Sequence, residues 1–88
     1  MKIEKFTGER AKLGYYLLQL KTVFRLRPQK YGSATSKVLF ASMHLKGAAY
    51  EWFEPTLRDY LETNNVENRE QNTVNIFGSF ANFELAIT

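Results

Sequence analysis

The sequence predicts an all-α fold, a small bundle of four to five helices, and three observations predict it. Apolar residues recur at helical spacing in separate stretches of the 88-residue chain. Proline and glycine interrupt those stretches where helices must end. No run keeps strict apolar and polar alternation long enough to make a half-buried strand.

Residues 1–8, "MKIEKFTG", read as an extended arm, with Ile3 and Phe6 holding it down and Thr7 or Gly8 as the N-cap of a first helix. That helix runs from Glu9 to about Leu26, because Leu13, Tyr16, Leu17, Leu20, Val23 and Phe24 share one helical face. Pro28 and Gly32 end it. A second helix starts near Ser33 or Thr35 and continues to Phe53, with Val38, Ala41, Leu45, Ala48, Ala49, Trp52 and Phe53 on its stripe. Pro55 is comfortable in a first helical turn, so a short third helix is expected from Glu54, meeting the second at a bend. Residues 63–72, "TNNVENREQN", form a polar, mobile loop. A last helix from about Thr73 carries Ile76, Phe77, Phe80, Phe83 and Ile87 on one face.

The expected core contains Leu17, Leu20, Phe24, Val38, Leu45, Gly47, Trp52, Phe77 and Phe80. The stretch "LKGAAYEWFEP" turns small just before it turns large. A glycine inside a helix costs about 1 kcal/mol relative to alanine. Gly47 is therefore expected at a close helix crossing, which would offset that cost, with Trp52 as a buried anchor.

Composition narrows the function classes. With 44% hydrophobic and 15% aromatic residues against 24% charged, residues 1–88 can pack as a single domain and do not fit a disordered segment. The absence of cysteine excludes a disulfide framework and cysteine-based zinc sites. No apolar run approaches the roughly 18 residues of a membrane span, and Met1 to Arg10 lacks the apolar centre of a secretory signal, so a membrane partner is not expected. His44 is the only histidine and has no companion ligands, so the expectation is a structural histidine and no metal. Glu51 and Glu54 read as solvated charge, and "FTGERAKLG" lacks the strand context and the ending of a phosphate loop. No catalytic or cofactor-binding residue is expected.

Charge is polarised along the chain. Residues 1–50 carry ten Lys and Arg against Glu4 and Glu9, a net +8, and residues 51–88 carry Arg58 and Arg69 against seven acids, a net −5. This polarity suggests copies of the chain meeting head to tail, with Lys12, Lys21, Arg25 and Arg27 of one near Glu54, Asp59 and Glu62 of the next. The acidic second half ranks direct nucleic-acid binding last.

The order of these pieces resembles the capsid region of Gag from gypsy-type long-terminal-repeat retrotransposons. The resemblance rests on "KFTGERAKLGYYLLQLKTVFRLRP", on "KVLFASMHLKGAAYEWFEPTL" with Leu45, Gly47, Ala49 and Trp52, and on the aromatic ladder Phe77, Phe80 and Phe83. It covers almost the whole chain and implies the N-terminal lobe of a retroviral-type capsid. That lobe has no catalytic role. It packs against copies of itself in virus-like particles that enclose the element's RNA, and these are expected inside the cell, in the cytoplasm. RNA contact is then indirect or weak, and the C-terminal capsid lobe lies outside this chain. Host genes have taken over the same lobe, which implies an alternative: a domesticated interaction module holding a short peptide between the Ile3 to Phe6 arm and the helix from Val38 to Trp52.

Overall fold

The computed structural model describes residues 3–88; residues 1 and 2 of the expected arm lie outside the described residues. Five helices follow one another: α1 (Leu13–Leu26), α2 (Ala34–Ser42), α3 (Gly47–Glu62), α4 (Gln71–Gly78) and α5 (Phe80–Ile87). Single 3-10 turns at Arg10–Lys12 and Val66–Asn68 precede α1 and α4. The all-α expectation holds, and no helix among the described residues is long and apolar enough to cross a membrane.

The arm is a structural element. Phe6 pairs in parallel with Leu45: its amide donates to the His44 carbonyl at 2.8 Å and its carbonyl accepts from the Lys46 amide at 3.0 Å. The expected N-cap at Thr7 or Gly8 is therefore not formed. The Thr7 carbonyl instead accepts from the Ala49 amide at 3.3 Å, and Gly8, at φ +107°, turns the chain into the 3-10 turn ahead of α1.

The same pairing divides the expected second helix. Ser33 caps α2, accepting from the Ser36 amide at 3.1 Å, but the helix stops at Ser42 because the backbone of residues 44–46 is given to the arm. Gly47 then adopts φ +60°, a left-handed conformation that glycine takes without steric cost, and α3 begins. A side chain at Gly47 would meet nothing within 4 Å, so the expected helix crossing there is overturned. The close approach lies at Gly8, where a Cβ would stand 3.6 Å from the Ala49 nitrogen and 3.8 Å from the Ala48 Cβ. The small residues of "KGAAY" make room for the arm.

Breaking the helix also resets its phase. α3 presents Ala49, Phe53, Leu57 and Tyr60 inward, at spacings of 4, 4 and 3. Phe53 is 1% exposed and Trp52 is 44% exposed, so the core position expected for Trp52 belongs to its neighbour. Pro55 lies within α3 on its exposed side, and the helix continues through it, so no separate third helix begins there. There the carbonyl left without a helical partner, that of Glu51, belongs to an exposed residue.

The expected last helix is likewise two. Ser79 is extended (φ −158°, ψ 127°), and the carbonyls freed by the break find partners: the Thr35 hydroxyl donates to Phe77 at 3.3 Å and the Asn82 amide group to Asn75 at 2.9 Å. Of the expected core, Leu20, Phe24, Val38, Leu45 and Phe77 are buried, whereas Leu17 and Phe80 are partly buried and Gly47 is exposed. Phe53 sits at the centre, edge-on to Phe83 at 5.6 Å and tilted against Phe77 at 6.0 Å.

Truncating a buried aromatic side chain removes its transfer free energy and leaves a cavity, at about 3–5 kcal/mol. Phe53→Ala is therefore expected to destabilise by that amount, and Trp52→Ala by less than about 1 kcal/mol. Denaturant unfolding of both variants checks the register of α3; a Trp52→Ala variant as unstable as Phe53→Ala would contradict it.

Candidate functional site

The first turns of α3 do more than receive the arm. Between Phe6, Gly8, Leu13, Ala49, Trp52 and Ile87 runs an apolar groove of about 210 Å³, with Arg10 on its rim. It lies where the arm, the start of α3 and the end of α5 converge. Ala48 and Ala49 are too small to fill the space, and Trp52 stands beside it with its ring 5.5 Å from Phe53. Small-molecule sites enclose about 300–1,000 Å³, so a groove of this size suits one or two side chains of a partner better than a cofactor.

The seven charged residues expected to meet across copies fall into different settings. Lys12 lies 3.9 Å from Glu4 and 3.7 Å from Glu9, Lys21 lies 2.9 Å from Glu84, and Glu54 pairs with Arg58. Arg25, Arg27 and Glu62 are exposed, and none of the ion pairs among the described residues includes them. Exposed pairs contribute about 0–1 kcal/mol each, so the four surface pairs remain exchangeable.

Asp59 is different, because it holds the fold. Its carboxylate accepts from the Glu70 amide at 3.0 Å and the Thr63 hydroxyl at 3.2 Å, joining the end of α3 to the residue before α4. Arg69 completes the clasp, donating to the Thr63 carbonyl at 2.7 Å and the Tyr60 carbonyl at 3.2 Å while stacking over the Tyr60 ring at 4.4 Å. These bonds satisfy carbonyls that the end of α3 would otherwise leave open. The expected mobile loop at 63–72 is thus polar but tied at both ends, and α4 already begins at Gln71.

His44 keeps a structural place, its Nδ1 lying 2.9 Å from the Phe40 carbonyl, which makes Nδ1 the donor, and its ring against Phe40 at 4.6 Å. Among the described residues no group of three or more His, Cys, Asp or Glu could hold a metal. The Tyr16 hydroxyl is buried and donates to the Ala41 carbonyl at 2.6 Å, and burial pushes its pKa well above the usual tyrosine value.

Sequence reasoning missed one feature and reached another only through the resemblance. The Arg69 clasp has a faint signal in an arginine among polar residues directly after a predicted helix end, where cations complement the dipole. The groove lies between the arm and α3, where the resemblance implies one, but no residue pattern signals it, since it depends on the arm crossing Ala49. No protein-family model, curated protein or solved structure matches the chain.

The hydroxyl of Thr73, the Glu70 amide, the Thr63 hydroxyl and Arg69 together hold the Asp59 pKa below the usual carboxylate value. A lowered folded pKa stabilises the fold above the unfolded value of about 3.9 and ceases to do so as pH falls through the folded value. Asp59→Asn is therefore expected to lower stability at neutral pH, and its difference from the parent to shrink below about pH 4. Thermal melts across that range check it; a constant difference down to full protonation would show that charge is not what holds the clasp.

Proposed function

We propose that this chain is a structural, non-catalytic lobe of the Gag capsid type, which associates with copies of itself in virus-like particles enclosing a retrotransposon's RNA. The reading begins from the ordered resemblance of residues 5–28, 37–57 and 77–83 to that family. One structural observation carries it: a tryptophan left 44% exposed on the rim of an apolar groove. Burying apolar area contributes about 25 cal/mol per Å². An exposed indole beside unfilled apolar space is where a second copy gains most. Arg10 on the rim and exposed Glu51, one residue before Trp52, suit a two-fold contact in which each meets the other across the axis. Self-association then runs through an apolar face, with the surface charges steering. The particles would be cytoplasmic, and a C-terminal lobe would supply further contacts.

The groove's lining by Phe6 and Gly8 of the arm and by α3 also favours a second reading. In a domesticated protein the same groove would hold one or two apolar side chains of a short peptide.

Trp52 is the only tryptophan, so its fluorescence reports this surface directly. As the protein is concentrated, sedimentation is expected to show association, and the emission to move to the blue. Ala48→Glu places a carboxylate in the groove and is expected to abolish both changes while shifting stability by no more than about 0.5 kcal/mol, as exposed substitutions do. Association that survives Ala48→Glu would refute the groove as the contact. A blue shift on adding an apolar peptide, without a change in sedimentation, would favour the second reading.

A further inference from the structure

Between Glu9 and Glu51 the chain has no acidic residue. The fold gathers five of the cations in that span around the junction of α1 and α2. Lys21, Arg25 and Lys37 surround a hollow of about 510 Å³ whose floor is Phe24, Tyr31 and Phe80. Beside it a second hollow of about 420 Å³ is lined by Arg27 and Lys30 with Val23, Leu26 and Phe40. Tyr31 lines both, and its ring is braced against Phe24 at 5.6 Å and Phe40 at 4.8 Å, so it stands as a fixed wall between them.

Most of the charge of this face is not cancelled locally. No acidic residue lines either hollow. Glu84 engages Lys21 at 2.9 Å, while no ion pair among the described residues involves Arg25, Arg27, Lys30 or Lys37. Two of the ammonium groups lie over rings, Lys37 above Phe24 at 5.8 Å and Lys30 above Tyr31 at 5.6 Å. The repulsion expected from the acidic second half applies to a charge averaged over the chain, and this surface does not carry that average.

Cations alternating with aromatic walls meet two needs of one ligand class: a phosphate backbone is neutralised and unpaired bases find rings to stack on. Each hollow falls within the roughly 300–1,000 Å³ of small-ligand sites, which admits a splayed base but not a base pair locked inside a duplex. An acidic protein segment would answer the cations and leave the aromatic floors unused. We propose that this face binds single-stranded nucleic acid, with phosphates on Arg25, Arg27, Lys30 and Lys37 and neighbouring bases on either side of Tyr31. The inference does not rest on the capsid reading, since these hollows share no lining residue with the Trp52 groove.

The test is fluorescence anisotropy of a labelled oligouridylate titrated with the 88-residue chain over a range of salt concentrations. About four phosphate contacts predict a slope of log affinity against log salt near −3, at about 0.7 per contact. Removing two cations from the face, Arg25→Gln with Arg27→Gln, is expected to weaken binding and flatten the slope by about 1.4. Lys5→Gln with Lys46→Gln removes the same charge from surfaces outside the hollows and is expected to leave the slope unchanged. Tyr31→Ala is expected to weaken binding about 5- to 100-fold at constant slope, and Tyr31→Phe to keep it. Circular dichroism establishes that each variant is folded, and the exposed arginine pair decides the matter if Tyr31→Ala is not. Equal losses from the two charge-removal pairs, or equal affinity for a duplex of the same sequence, would overturn the proposal. So would an arginine pair that alters sedimentation of the protein alone while no oligonucleotide binds, because the face would then belong to another copy of the chain.

Discussion

The rest of the structure depends on the seating of the arm against Tyr16. Phe6 stacks on the Tyr16 ring at 5.1 Å, and the Tyr16 hydroxyl donates to the Ala41 carbonyl at 2.6 Å. A buried hydroxyl without a partner costs about 1–3 kcal/mol, so this bond must form wherever Tyr16 is buried. The consequence is geometric. α1 is tied to the end of α2, and Phe6 is brought level with the backbone of residues 44–46, which it then pairs. Arm, α1 and the α2–α3 corner become one unit before any other packing is considered.

From that unit the remaining architecture follows by substitution of partners. A carbonyl or amide released at a helix break is taken by something close at hand: the arm takes those of residues 44–46, Thr35 takes the Phe77 carbonyl, and Arg69 takes those of Tyr60 and Thr63. Short helices leave many such groups relative to their length. Five helices in so few residues are possible because the breaks are answered, and the answering groups come from distant parts of the chain.

This also explains what was legible beforehand. The helical nature of nearly every segment was readable, because periodicity at 3.6 is a local property and α1 keeps it from Leu13 to Phe24. The corners were not. Residues 43–46 carry no proline, and only Gly47 hints at a stop; the decisive bond partner, Phe6, lies far away in sequence. With that break unseen, the stripe carried through it holds Trp52 and Phe53 alike, and Trp52 is the one expected in the core. The charged residues suffered from a different blindness. Lys21 and Glu84, or Asp59 and the Glu70 backbone amide, become partners only through the fold, and a charge balance summed by sequence position cannot see them. The aromatic and basic composition of residues 21–40 was visible throughout, but its concavity depends on Phe80 arriving from α5.

Phe83 has a consequence for how the molecule is made. It is fully buried against Phe53, yet it is synthesised after the other buried apolar residues among those described, whereas Ile3 and Phe6, also buried, come before them. A growing chain can form α1 and pair the arm with residues 44–46 early, but the apolar stripe of α3 then waits uncovered for α4 and α5. An unfinished core of that kind exposes aromatic surface, the condition under which nascent chains stick to one another or recruit chaperones. The order of residues along the sequence thus sets a period of vulnerability during synthesis that the finished fold conceals.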